Sequence, residues 1–165
     1  IKKISAFKHS KLANLIKPSG YYNQKAKRLR SFAIYFKNKY NSNVSGFFNR
    51  PKDVVRNELL SLSGIGPETA DSMLLYAGGQ LTFVVDAYTR RLGKRLGWFK
   101  TEDYNLVKRY FEKTLDKSIS IYNEFHALIV RLAKEHCKAK PDCGECPINE
   151  HCSFNIILRS RQKKR

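Results

Sequence analysis

Four cysteines fall within 16 residues near the end of the chain, Cys137, Cys143, Cys146 and Cys152, spaced C-x5-C-x2-C-x5-C. In a 165-residue chain that keeps all its cysteines in one short stretch, two disulfides or a shared metal are the chemistries to weigh, and metal is the better expectation. Two disulfides are the minor alternative in a strongly basic chain that is expected to be intracellular. Structural zinc usually takes two short Cys/His pairs with a longer stretch between them, whereas here one C-x2-C is flanked by five-residue loops. Thiolates spread in this way also suit a four-iron four-sulfur cluster, each corner of which takes one ligand. Spacing alone leaves zinc and a cluster both open. His136 and His151 stand beside cluster cysteines and read as bystanders, and Lys134, Lys138 and Lys140 suit either charge compensation or phosphate.

The charge distribution points to the partner. Residues 1–50 hold 12 Lys plus Arg and no acid, the first being Asp53, within a formal net charge of +18. Such a surface gains affinity for polyanions by releasing counterions, with nucleic acid the expected partner and anionic membrane the rival. No apolar run approaches the roughly 18 residues of a membrane span, so a soluble, intracellular protein is expected. The run Arg159–Arg165 reads as a disordered basic tail.

The periodicity is helical. Ala26, Leu29, Ala33, Phe36 and Tyr40 recur every three or four residues, with lysines and arginines between them, so residues 24–40 are expected to form an amphipathic helix with a basic face. A second helix follows Gly66-Pro67 and ends at Gly78-Gly79, and others are expected at about 52–61, 86–96, 102–116 and 121–136. The strand-like run Leu81–Val85 is too short to anchor a sheet, so the expected class is all-α. Tyr21, Tyr22, Phe47, Phe48 and Trp98 are read as packing residues, and His126 as a satisfied interface histidine.

Two segments carry candidate chemistry. In Leu62-Ser63-Gly64-Ile65-Gly66-Pro67, two glycines around one aliphatic residue allow a tight turn whose N–H groups, with the start of the next helix, can seat a phosphate while Ile65 plugs into the core. Eighteen residues past Glu68, Asp86 heads a predicted helix in Val84-Val85-Asp86-Ala87-Tyr88-Thr89-Arg90-Arg91. An N-cap explains an Asp there by itself, yet the same carboxylate can stabilise a positive sugar or orient water, and the two roles are compatible.

In this order and at these distances, the hairpin (Leu62–Ala70), the acid (Val84–Arg91) and the cysteine loop (Cys137–Cys152) resemble the endonuclease III branch of the helix-hairpin-helix (HhH-GPD) DNA glycosylases. The resemblance runs from Gly20-Tyr21-Tyr22-Asn23-Gln24-Lys25-Ala26 to about Phe154. It implies a two-lobed all-helical glycosylase fold: a helical barrel lobe with the hairpin over 1–80, a lobe with the catalytic-Asp helix and cluster over 81–155, and a basic tail over 156–165. It further implies base flipping from double-stranded DNA, cleavage of the N-glycosidic bond, and action as a monomer. Asp86 matches the catalytic aspartate, and the four cysteines match the ligands of a 4Fe-4S cluster, with zinc the alternative. Gly64, Ile65, Gly66, Thr69, Lys25 and Arg90 are the expected DNA contacts.

Two departures from the family pattern matter. Bifunctional members carry after the hairpin a lysine that nicks the strand through a Schiff base; here Glu68 occupies the position, and a carboxylate cannot form an imine, so a monofunctional enzyme is expected. The segments around Gly20–Leu29 and Gly64–Ser72 are also similar to the 3-methyladenine glycosylase branch. Full-length relatives carry further helices before the equivalent of residue 1, so barrel surface and one pocket wall are expected to be lacking here. A DNA-binding protein without catalysis, or a zinc-bound RNA-binding protein, are the competing readings.

Overall fold

The computed structural model describes residues 1–162, with side chains through residue 160. Among the described residues every regular element is helical, as the periodicity predicts. Contacts divide the chain into two units, Ile1–Ala70 and Asp71 onward. The division falls ten residues before the boundary expected at residue 80, because Asp71 and Leu75 pack among residues that follow them.

In the first unit, α1 (Lys2–Ala6), α2 (His9–Leu15) and α3 (Tyr22–Tyr40) pack together through Leu12, Ala13 and Ala26, flanked by Ile4, Phe7, Ile16, Tyr22 and Leu29. The far end of α3 meets α4 (Val44–Phe48) in an aromatic cluster in which the Phe36 and Phe47 rings cross at 67° with centroids 4.9 Å apart. Then α5 (Lys52–Leu60) buries Val55 and Leu59 and presents Glu58 to Tyr35, Tyr40, Arg50 and Lys39. Phe47 and Phe48 are core residues, as expected, whereas Tyr21 is 84% exposed.

The hairpin leads into α6 (Pro67–Ser72), with Pro at the first helical position, and α6 runs on into a single π-helical turn, Met73–Ala77, where the Gly78 N–H reaches back five residues to the Met73 carbonyl. The second unit continues with α7 (Ala87–Leu96), α8 (Tyr104–Thr114), α9 (Ile119–Glu135) and α10 (Ser153–Gln162). Its core gathers Leu75, Phe83, Val84, Val85, Leu92, Val107, Phe111, Tyr122 and Ile129, with Phe83 stacked on Phe111 at 4.4 Å.

Residues 81–85 adopt no regular secondary structure, and the described residues include no strand for them to pair with. Side chains stabilise them instead: Glu112 accepts from the Phe83 N–H at 3.0 Å, and fully buried Asp71 accepts from the Thr82 hydroxyl, the Tyr104 hydroxyl and the Lys108 ammonium at 3.2, 2.8 and 3.0 Å. This satisfies polar groups that burial would otherwise leave costly, and it fixes the run that delivers Asp86.

The basic tail requires correction. Residues 159–162 belong to α10, a helix anchored by the Ser153 hydroxyl on the Leu96 carbonyl at 3.0 Å and by buried Asn155 on the Asn149 carbonyl at 3.0 Å. Residues 163–165 of the expected tail lie outside the described residues.

Candidate active site

Asp86 closes the 81–85 run with β-type backbone angles and caps α7. Its two oxygens do different things. Oδ1 accepts twice from one residue, from the Thr89 N–H at 2.7 Å and the Thr89 hydroxyl at 2.8 Å, while Oδ2 faces the His126 Nε2 at 3.6 Å. That last separation is an ion-pair distance, longer than a hydrogen bond. Burial pushes the carboxyl up, but His126 and the two Thr89 bonds outweigh it and leave Asp86 below the ordinary carboxylate range. At neutral pH the site therefore holds a fixed, mostly buried negative charge with one oxygen uncommitted to capping.

His126 is not the satisfied interface residue that the sequence suggests. Its Nδ1 bonds the Tyr76 hydroxyl at 2.6 Å, and its Nε2 is buried with no hydrogen-bond partner. Neither Tyr76 nor this geometry was legible beforehand, since the π turn that sets the azimuth of Tyr76 has no sequence signature.

In the cysteine loop all four thiols line one cavity. None forms a disulfide. Burial, and then the proximity of Cys152, Cys146 and Cys137, push the Cys143 thiol up, with Arg95 acting in the opposite direction. Two arginines one turn apart on α7 grip the loop: Arg91 Nε donates to the Cys137 carbonyl at 2.8 Å, and Arg95 donates to Cys137 Sγ at 3.2 Å, the Lys138 carbonyl at 2.6 Å and the Ala139 carbonyl at 2.9 Å. His136 also lines the cavity, with a buried Nδ1 that has no hydrogen-bond partner; His151 is exposed. Among the described residues no three His, Cys, Asp or Glu side chains converge where one ion would sit.

The hairpin lies in the first unit. Gly64 has φ +86°, a conformation that disfavours any side chain, and a Cβ there would press on the Arg28 side chain at 2.4 Å. Arg28 thus lays a cation over the turn, a contact the sequence did not single out. Gly66, Glu68 and Thr69 are exposed, a Cβ on Gly66 would meet nothing within 4 Å, and Ile65 is half-buried. Lys25 turns back on its own chain, donating to the Ser19 carbonyl, and Arg90 lies beside Lys94 and Glu102 along a groove on α7.

A profile described as HhH-GPD superfamily base excision DNA repair protein matches residues 1–117. The chain belongs to the HhH-GPD superfamily. It is 46% identical over 153 residues to a Methanocaldococcus jannaschii protein assigned as a DNA repair glycosylase, covering 91% of this chain and 69% of that one. It is 31% identical over 144 residues to an endonuclease III of Thermotoga maritima, covering 87% and 63%. Among solved structures, it is similar to H. pylori 3-methyladenine DNA glycosylase (MagIII) bound to 1,N6-ethenoadenine, with a TM-score of 0.72, 34% identity, and 81% and 66% of the two chains covered. A non-covalent endonuclease III–DNA complex matches with a TM-score of 0.76, 28% identity, and 96% and 70% covered. The chain therefore spans about two thirds of the length of these HhH-GPD relatives. As an HhH-GPD protein it divides its candidate residues between the units: Lys25, Gly64, Ile65, Gly66, Glu68 and Thr69 in the first, and Asp86, Arg90 and the four cysteines in the second.

Proposed function

We propose that this protein is a monofunctional DNA glycosylase that flips a damaged base from double-stranded DNA and hydrolyses its N-glycosidic bond, with Asp86 as the catalytic carboxylate. The observation that carries the reading is the division of labour at Asp86, where Oδ1 is spent on Thr89 and Oδ2 remains an anionic face held in place by α7. As the base departs with the bonding electrons, positive charge develops at the sugar. A fixed carboxylate stabilises that charge without reorganising; water then adds to the anomeric carbon, and the proton it releases goes to the departing base or to solvent. A damaged base pair costs least to open, which favours lesions over normal DNA.

Glu68 supports hydrolysis without strand cleavage, because a carboxylate cannot form the imine that a lyase needs. The likeness to MagIII, whose structure holds 1,N6-ethenoadenine, favours an alkylated or etheno purine as the substrate. Gly64, Ile65, Gly66 and Thr69 would seat the backbone phosphates, with Arg28 adding charge beside Gly64 and Arg90 on α7 a second contact. Lys25 is better suited to bracing the turn it already holds. The action is that of an intracellular monomer.

Cys137, Cys143, Cys146 and Cys152 would hold a 4Fe-4S cluster. Four cysteines lining one cavity supply the one thiolate per corner that such a cluster takes, and the same four would serve a zinc ion as the alternative. When bound, the cluster supplies a cross-link to the loop and no step of the hydrolysis.

Single-turnover assays on duplexes carrying an alkylated purine, uracil or an oxidised pyrimidine test the reading, with borohydride added in parallel. Release of one base leaving an intact abasic strand is the expected result. A borohydride-trapped covalent complex would overturn the monofunctional mechanism, and binding to every duplex without release would leave a DNA-binding protein.

A further inference from the structure

Asp86 has a neighbour whose arrangement goes beyond capping and burial. His126, on α9, points Nε2 at Oδ2, the carboxylate oxygen that Thr89 leaves alone, and this nitrogen is buried and without a hydrogen-bond partner. An orphaned buried N–H is costly, so its retention calls for a partner that a few tenths of an ångström of movement would supply.

The other ring nitrogen decides which proton faces Asp86. Burial and the charge of Asp86 push the Tyr76 phenol up, so its hydroxyl keeps its proton. With that proton donated to Nδ1 at 2.6 Å, the neutral ring carries its own hydrogen on Nε2. The imidazolium would present the same Nε2 proton. Only the opposite neutral tautomer would set a lone pair against the carboxylate, and it is disfavoured by both neighbours. Tyr76 reaches this nitrogen because the π turn Met73–Ala77 adds a residue to the helical repeat, and such turns recur at functional sites.

We propose that His126 is a positioning residue for Asp86, oriented by Tyr76 so that its Nε2 proton holds the outer carboxylate oxygen in place and charged. The inference rests on the reading of Asp86 as the carboxylate of base release. The groups facing the pair are Thr89 from α7, the Phe83 ring from the 81–85 run, edge-on to the imidazole at 86°, and Tyr76 from the π turn. Along α9, Arg131, Lys134 and Glu135 line the groove that His126 opens onto. His126 is the only one of these that lies against Oδ2.

Two readouts test it, one independent of activity. In isotope-labelled protein, the ring-nitrogen spectrum of His126 reports its tautomer and the carboxyl carbon of Asp86 reports its titration. The expected wild-type ring carries its proton on Nε2 whenever neutral. In His126→Leu the Asp86 midpoint rises, the acid limb of the single-turnover base-release profile moves up with it, and the rate at neutral pH falls on the order of tenfold. His126→Gln restores an N–H donor near the Nε2 position and recovers most of both. Tyr76→Phe lets the opposite tautomer appear, with a smaller loss of rate. An unchanged Asp86 midpoint in His126→Leu, or a wild-type ring protonated on Nδ1 alone, overturns the proposal. A wild-type protein that releases no base while showing the Nε2 tautomer and the shifted midpoint overturns the glycosylase reading and leaves the positioning role in place.

Discussion

Asp86 and Thr89 meet twice at one oxygen: the Thr89 N–H and hydroxyl both donate to Oδ1, at 2.7 and 2.8 Å. Asparagine offers a similar oxygen and is an equally good N-cap, so Asp86→Asn should cost no more than about 1 kcal/mol of stability. It removes the negative charge from Oδ2, and single-turnover base release should fall by at least about 100-fold. Thermal unfolding together with the base-release assay separates the two effects. A variant that unfolds easily and retains activity would reduce Asp86 to a cap.

Asp71 is fully buried and its charge is met by Lys108 at 3.0 Å, with Glu112 3.8 Å from the same ammonium. Lys108→Met keeps the apolar stem and deletes the cation, leaving two acids near each other in a dry setting. Breaking a buried pair on one side typically costs about 3–5 kcal/mol. Because Asp71 also holds Thr82, four residues before Asp86, the loss should appear both as a lower Tm and as slower base release. Lys113→Met, an exposed change on the same helix, should leave both unchanged.

The extent to which this architecture is readable follows from what each element asks of its residues. The long helix α3 announces itself because Ala26, Ala33 and Phe36 must all face one way, and α7 because Asp86 and Gly97 mark its ends. Helices α1, α2 and α4 are only five to seven residues long, too short to display a period, and depend on their neighbours for stability. The end of α10 was hidden for a different reason: Arg159 and its neighbours look like solvated tail unless the anchors at Ser153 and Asn155 are known. At the site, the carboxylate is legible from its place before a helix, but the Tyr76–His126 pair joins residues 50 apart through a π turn, and no local pattern encodes that.

Glu58 links stability to acidity. Burial pushes its carboxyl up, but bonds from Tyr35, Tyr40, Arg50 and Lys39 overcome this and lower it to about 2 from the ordinary 4.5. A depressed folded-state value means that the unfolded chain takes up the proton first. The stabilisation is therefore complete above about pH 4.5 and is lost as pH falls toward 2. Wild-type protein should lose Tm steadily across that window. Glu58→Gln should start from a lower Tm at neutral pH and show a flatter acid limb, and parallel curves for the two proteins would remove Glu58 as the cause.

Arg95 and Lys94 are adjacent on α7 and face different surroundings, which makes them a matched pair for testing the cysteine loop. Lys94 pairs with exposed Glu102, an interaction at the surface that contributes little. Arg95 donates to Cys137 Sγ and to the carbonyls of Lys138 and Ala139, so one side chain closes the start of the loop and places positive charge beside a sulfur proposed to hold the cluster. Positive charge favours the thiolate, and outer contacts of this kind typically change metal retention by about 10–100-fold. Under a chelator challenge, Arg95→Met should lose iron and visible absorbance at least about tenfold faster than wild type, while Lys94→Met should match wild type. Equal rates of loss in all three would mean that the four thiols hold the loop without help from α7.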